Sequence, residues 1–202
     1  MSDIRAYVLN TYCTELMGDI SDISTTGFHQ LWLKIQVRNL KSIIICTGCR
    51  PPDTPLTCWE NDLTTTLIYA LPLGKPVYIM GDLNCNLLST ECRELKSLTS
   101  FYESFNLSQL IAAPTRVTES SWSLLDVILA SQTKQVVKAG VMDSSINDHD
   151  MVFAILHLKV SQPKTTHIRT RSLKNYNPDT FQFDMSGAPW SVVVVFDDVD
   201  DI

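Results

Sequence analysis

Apolar positions recur along this chain in two rhythms. The run Leu31-Trp32-Leu33-Lys34-Ile35-Gln36-Val37 has the period-two character of a strand with one buried face. The apolar stretch 42–48 follows it after the turn-like Arg38-Asn39-Leu40-Lys41, so the two predict a hairpin. Shorter apolar stretches at 5–9, 77–80, 123–129 and 151–160 predict further strands. Elsewhere the spacing is helical. Trp59, Leu63, Leu67 and Ala70 share one face of a helix over 59–71 that stops at Pro72. Leu95, Leu98, Phe101, Tyr102 and Phe105 line the inner face of a second helix, over 91–105. Interspersed strands and helices predict a mixed α/β fold. The pattern changes near Ser161. Residues 162–178 are polar and basic and predict a linker, and 181–202 mix apolar and acidic patches like a helical segment cut short.

Composition narrows this picture. The 202 residues suit one domain of ordinary size, and 45% hydrophobic residues exclude a wholly disordered chain. The longest apolar runs, such as 192–196, fall far short of the roughly 20 residues of a membrane span, so no membrane partner is expected. The start, Met1-Ser2-Asp3-Ile4-Arg5, has no basic-then-apolar signal pattern, which predicts an intracellular protein. Sixteen Lys and Arg against 22 Asp and Glu give a net charge of −6. No global positive field therefore draws nucleic acid in, and phosphate binding would fall to a few basic side chains and a divalent cation.

Six cysteines raise the question of zinc or disulfides. Cys46 and Cys49 have the C-x2-C spacing, yet they sit in the strand-like run Ile43-Ile44-Ile45-Cys46-Thr47-Gly48-Cys49, and no second ligand pair recurs at finger-like spacing. The expectation is reduced core and surface thiols.

Three places set titratable side chains at the end of a buried strand. In Met80-Gly81-Asp82-Leu83-Asn84, a carboxylate and an amide at i and i+2 point the same way, either as a turn or as a polar site at a sheet edge. Asp126, between Leu125 and Val127, either faces water or needs a partner inside. In Asn147-Asp148-His149-Asp150, a histidine beside carboxylates is equipped to act as an acid or electrostatic clamp near neutral pH.

Taken in order, Gly81-Asp82-Leu83-Asn84, Pro114-Thr115-Arg116, Ser123-Leu124-Leu125-Asp126-Val127-Ile128 and Asp148-His149 resemble the endonuclease/exonuclease/phosphatase superfamily. The resemblance is to the endonuclease domain of non-LTR retrotransposon polyproteins in particular. Arg50-Pro51-Pro52 looks like the end of that group's Tyr-Arg-Pro-Pro signature, and Leu31-Trp32-Leu33 matches its hydrophobe–Trp segment. The likeness covers residues 5–160 well and the tail loosely.

It implies a four-layer αββα sandwich of two mainly antiparallel sheets flanked by helices. Residues 1–160 would be a partial domain lacking its first strands, and 161–202 a polar linker with the start of a truncated downstream segment. It also implies Mg²⁺-dependent phosphodiester hydrolysis, here DNA nicking. Asp82 would orient and deprotonate the attacking water and Asn84 would hold the scissile phosphate. Asp126 would fix the tautomer of His149, which would stabilise charge on the phosphate. Asp148 would lie beside the cation, and Thr115, Arg116 and Asn147 would contact the substrate. Partners would be the DNA backbone and a reverse transcriptase region of the parent polyprotein, with a nuclear site of action. The family's principal metal-ligand Glu has no match in this sequence. Glu15 is a formal substitute, Cys49 replaces the signature Tyr, and Gln30 replaces an acidic residue before Leu31-Trp32. A catalytically dead retroelement fragment and a phosphatase of the same superfamily are therefore the alternative readings.

Overall fold

A computed structural model describes residues 4–21, 27–36, 40–89, 93–144, 148–158, 174 and 176–190. The chain divides into two compact units, 1–162 and 163–202.

The first unit is built on a six-stranded sheet. Its strands are β1 (Cys13–Leu16), β2 (His29–Gln36), β3 (Ile43–Cys49), β4 (Val77–Asp82), β5 (Ser108–Gln109) and β8 (Asp126–Ala130), in the order β1-β2-β3-β4-β8-β5. The expected hairpin is present as β2 and β3, antiparallel with His29 opposite Cys49 and Ile35 opposite Ile43. β3 and β4 run parallel, with α1 (Leu56–Ala70) between them in sequence, and β4–β8 and β5–β8 are antiparallel. β6 (Arg116–Val117) and β7 (Trp122–Ser123) form a small hairpin, and β9 (Val136–Met142) pairs with β10 (Met151–Leu156) in a third sheet.

Side-chain alternation sorts the large sheet into two faces. Trp32, Ile44, Cys46, Val77, Ile79, Val127 and Leu129 point to one side and form a single buried core with Trp59, Leu63, Leu67 and Ala70 of α1 and Leu98 and Phe101 of α2 (Arg93–Ser104). The helical spacing of those apolar residues buries a continuous stripe, locked by an edge-on contact of Trp59 with Phe101 at 4.8 Å. α1 passes into one 3₁₀ turn, Leu71–Leu73, around Pro72 and ends on Gly74 at φ 63°, a left-handed stop that glycine adopts at no steric cost. The opposite face packs Met80 and Ile128 against Ala139, Val141, Val152 and Ala154 of the β9–β10 pair. Helices, large sheet and small sheet are thus successive layers of the expected α/β sandwich, and β9–β10 keeps exposed Met142, Met151 and Ile155 on its outer side.

The elements differ from expectation in four places. Residues 5–9 belong to no strand, and the first strand among the described residues is β1, an exposed edge whose Thr14 and Glu15 hide it from an apolar pattern. The apolar 123–129 splits at Leu124 and Leu125 into β7 and β8. β9 carries no clear period because Lys138 and Gly140 interrupt it, and Phe153 fills the space over Gly140. In the second unit α3 (Pro178–Gly187) starts earlier than the apolar pattern, because Asn177 Oδ1 accepts from the amides of Asp179 and Thr180 and Pro178 occupies the first turn. The expected linker lies largely outside the described residues, as do 191–202.

Candidate active site

The two carboxylates come together through strand register. Asp82 and Asp126 end β4 and begin β8 as direct partners. Asp82 lies two residues from Met80 and Asp126 two from Ile128, so both emerge on the face away from the helices. Gly81 makes the approach possible. It sits at φ 143° opposite Gly48, and a Cβ there would fall 1.8 Å from the Gly48 carbonyl oxygen.

Burial holds the Asp82 carboxyl above the usual carboxylate range. Its backbone hydrogen bond from Asn84 works against that rise, Asp126 reinforces it, and His149 and Arg50 oppose it.

The turn and the polar site proposed for Asp82-Leu83-Asn84 coexist. Asp82 Oδ1 accepts the Asn84 amide at 2.7 Å, and Asn84 takes the left-handed φ of 48° that Asn tolerates. Asn84 Nδ2 donates to the Arg50 carbonyl at 2.8 Å and to Asp82 Oδ2 at 3.2 Å, so its amide hydrogens hold Asp82 in place. Underneath lies Arg50, only 4% exposed, whose guanidinium donates to the carbonyls of Leu83, Thr54 and Asn84. Sequence reading quoted Arg50 only as part of a motif and missed this role; a charged residue placed directly before two prolines was the available signal.

Asp126 finds its partner inside, in His149. The His149 Nδ1 lies 3.0 Å from Asp126 Oδ2, with both side chains half-buried or better. A proton on Nδ1 fits that contact and leaves Nε2 as the ring's acceptor.

Thr115 anchors both halves of the pair. It is fully buried, and its Oγ1 accepts the amides of Leu125 at 3.0 Å and Asp126 at 3.1 Å. Its carbonyl accepts the Asp150 amide at 2.7 Å. The hydroxyl expected to touch substrate is thus given to the backbone. Thr115→Val, which leaves two amides without an acceptor, is expected to cost about 1–3 kcal/mol in chemical denaturation, with Thr115→Ser largely restoring stability.

Arg116 bridges to His149 through the backbone and places Nε 2.7 Å from Asp148 Oδ2. The side-chain hydrogen bond from Arg116 lowers the Asp148 carboxyl below its usual value. Asp148 therefore faces Arg116 and is not in the group that gathers around Asp82. Asn147 lies outside the described residues. Glu15 emerges on the helix side of the sheet, opposite to Asp82, and pairs with Lys34 at 2.8 Å. Gln30 is buried beneath Trp32, accepting the indole N–H at 2.8 Å and the Thr66 hydroxyl at 3.1 Å. Cys46, Cys49, Cys13, Cys58 and Cys85 are free thiols, as expected, while Cys92 lies outside the described residues. Three residues apart in one strand, Cys46 and Cys49 face opposite sides of the sheet and cannot share an ion.

Ligand atoms of Asp82, Asp126 and His149 all lie within 4.8 Å of one another. Two facing carboxylates, one of them pushed upward by burial and by its neighbour's charge, suit a hard divalent cation that would neutralise both.

No curated protein matches the sequence. The solved endonuclease domain of TRAS1, a telomere-specific non-LTR retrotransposon, superposes with a TM-score of 0.60 at 16% identity, over 72% of this chain and 68% of that one. A conserved protein of unknown function from Enterococcus faecalis V583 gives a TM-score of 0.50 at 11% identity, over 73% of this chain and 66% of that one. The chain thus spans about two thirds of the length of either structure, and the likeness is one of fold. The sequence profile of the endonuclease/exonuclease/phosphatase family matches residues 7–161. With most of the first unit inside that match, the chain belongs to the endonuclease/exonuclease/phosphatase family.

Proposed function

We propose that this protein is a metal-dependent phosphodiesterase that nicks DNA. The observation that supports this best is the Asp126–His149 contact set directly beside Asp82. Asp82, kept in position by Asn84, accepts a proton from the attacking water. Asp126 holds the His149 ring in one orientation. Once protonated, Nε2 can donate to a non-bridging phosphate oxygen as negative charge develops there. The carboxylates of Asp82 and Asp126 would hold Mg²⁺, with Asp148 able to join if it exchanged Arg116 as its partner. The cation would neutralise phosphate charge. In a retroelement, the resulting 3′-hydroxyl would prime reverse transcription in the nucleus.

The β6–β7 hairpin favours nucleic acid over a small phosphomonoester. Its Arg116 is bridged to His149, and Trp122, paired with Val117 next to the turn, is 71% exposed. An exposed aromatic ring on the hairpin that carries Arg116 suits contact with a nucleobase or groove wall. Trp122→Ala is expected to weaken DNA binding by about 1–2 kcal/mol, roughly 5–30-fold in Kd by fluorescence anisotropy, while leaving thermal stability unchanged.

Purified protein incubated with supercoiled plasmid should yield relaxed circles with Mg²⁺ and none with EDTA. A folded chain that makes no nicks would overturn the reading. It would favour the second one, a catalytically silent retroelement derivative, which finds support in a metal group of only two carboxylates among the described residues and in Glu15 on the far face. Release of inorganic phosphate from a phosphomonoester without nicking would point to the phosphatase alternative.

A further inference from the structure

Two charged side chains at the rim of the site neutralise each other. Arg116 is the backbone partner of Ser123 on one side and of His149 on the other, which fixes its Cα between the β6–β7 hairpin and the segment leading into β10. Directly opposed residues of antiparallel segments project their side chains to the same face. The measured contacts agree with that placement. His149 Nδ1 lies 3.0 Å from Asp126 Oδ2, and Arg116 Nε donates to the carboxylate of the residue before His149, Asp148 Oδ2, at 2.7 Å. The His149 ring is close enough for its charge to act on the Asp148 carboxyl. The Arg116 guanidinium therefore stands at the edge of the site, on the imidazole's side of it.

A guanidinium binds carboxylate and phosphate oxygens through the same fork of N–H donors. Asp148 is thus an internal substitute for a phosphate. It is also placed to be displaced. The Arg116 and Asp148 side chains are 44% and 51% exposed, and pairs this open to water are held weakly. Arg50 offers the contrast, since its guanidinium is buried and committed to three backbone carbonyls. With a net charge of −6 there is no general positive field to hold DNA, so a single cation at the site carries weight. We infer that Arg116 is a subsite for a DNA phosphate flanking the scissile one, and that Asp148 keeps it closed until that phosphate takes the carboxylate's place. The inference rests on the proposed nuclease reading for its ligand. A phosphomonoester seated at His149 has no second phosphate to offer Arg116, so the exchange favours a chain of phosphodiesters.

Fluorescence anisotropy of a labelled DNA duplex with the purified full chain, in EDTA, tests this without any cleavage. Arg116→Ala should weaken binding and reduce the slope of log K against log salt by one phosphate contact, about 0.9. Asp148→Asn should tighten binding about two- to fivefold, because the guanidinium loses its charged competitor. In the double variant the second change should have no further effect, since its action runs through Arg116. Tightening that persists without Arg116 would mean that Asp148 merely repels DNA, and it overturns the inference. So does an Arg116→Ala variant that binds like the parent, or a folded parent that binds no DNA. Circular dichroism establishes that each variant is folded, and Arg116→Gln takes the place of the alanine variant should that one unfold. Nicking by the parent without coupling between the two positions refutes the subsite alone. Coupled binding by a chain that never nicks supports the subsite and refutes the cleavage reading alone.

Discussion

Asp82→Asn is expected to abolish plasmid nicking, lowering the rate by about 10³-fold or more, while making the metal-free protein slightly more stable at neutral pH. The rate loss follows from replacing the base by an amide that cannot take a proton. The gain in stability follows from the environment. Burial, aided by Asp126, holds the Asp82 carboxyl above its usual range, so the folded protein disfavours the charged form. Between the ordinary carboxylate value and this raised value, the folded state binds more protons than the unfolded state. Stability therefore falls as pH rises through that window and stays lower above it. A neutral Asn removes the penalty, so its melting temperature should exceed that of the parent at neutral pH. The difference should vanish below the ordinary carboxylate range. With Mg²⁺ the order should reverse, because only the parent gains from binding the ion. Thermal scans across pH, with and without Mg²⁺, check each sign. A parent more stable than the variant at neutral pH without metal would refute the account of the site.

Arg50→Met should produce the largest loss of stability, about 3–5 kcal/mol, measured as a shifted midpoint in urea. Its guanidinium donates to three backbone carbonyls, those of Leu83, Thr54 and Asn84, from a position closed to water. Methionine fills much of the volume but leaves those carbonyls without donors. Arg50→Lys should recover only part of the loss, because one ammonium cannot reproduce a planar fork that reaches three acceptors. Two of those carbonyls, of Leu83 and Asn84, belong to the Asp82–Asn84 turn itself, and Asn84 Nδ2 donates back to the Arg50 carbonyl. Surviving folded protein should therefore nick slowly even where its stability allows folding. A midpoint shift below about 1 kcal/mol would show that water satisfies the three carbonyls instead.

Legibility in the sequence tracked how local each signal was. Helix α1 could be read because Trp59, Leu63, Leu67 and Ala70 repeat at helical spacing and all four are fully buried. The β2–β3 hairpin could be read because Leu31, Leu33 and Ile35 recur at every second position, on the face of the sheet turned away from the helices. β9 could not, since half its positions face solvent and Gly140 serves Phe153, a contact with a strand ten or more residues away. The site was legible as an ordered set of motifs, and three of its members, Asp82, Asp126 and His149, do converge. How Thr115 and Arg50 act was not legible. A buried hydroxyl on two amides and a guanidinium under a turn depend on segments brought together only by folding. The same holds for the pairing of Asp148 with Arg116, which joins residues 32 positions apart.

The two halves of the site rest on supports of unequal strength. Asp82 and Asp126 are rooted in the six-stranded sheet, between fully buried residues such as Ile79 and Val127. His149 instead leads into β10, half of a two-stranded ribbon with one covered face, and two-stranded ribbons are marginal on their own. On warming, β9–β10 should open first, in hydrogen exchange ahead of β3, β4 and β8. The Asp126–His149 contact would then part while the bulk of the protein is still folded. Heat inactivation should accordingly precede the main melting transition, and on refolding the activity should be the last property to return.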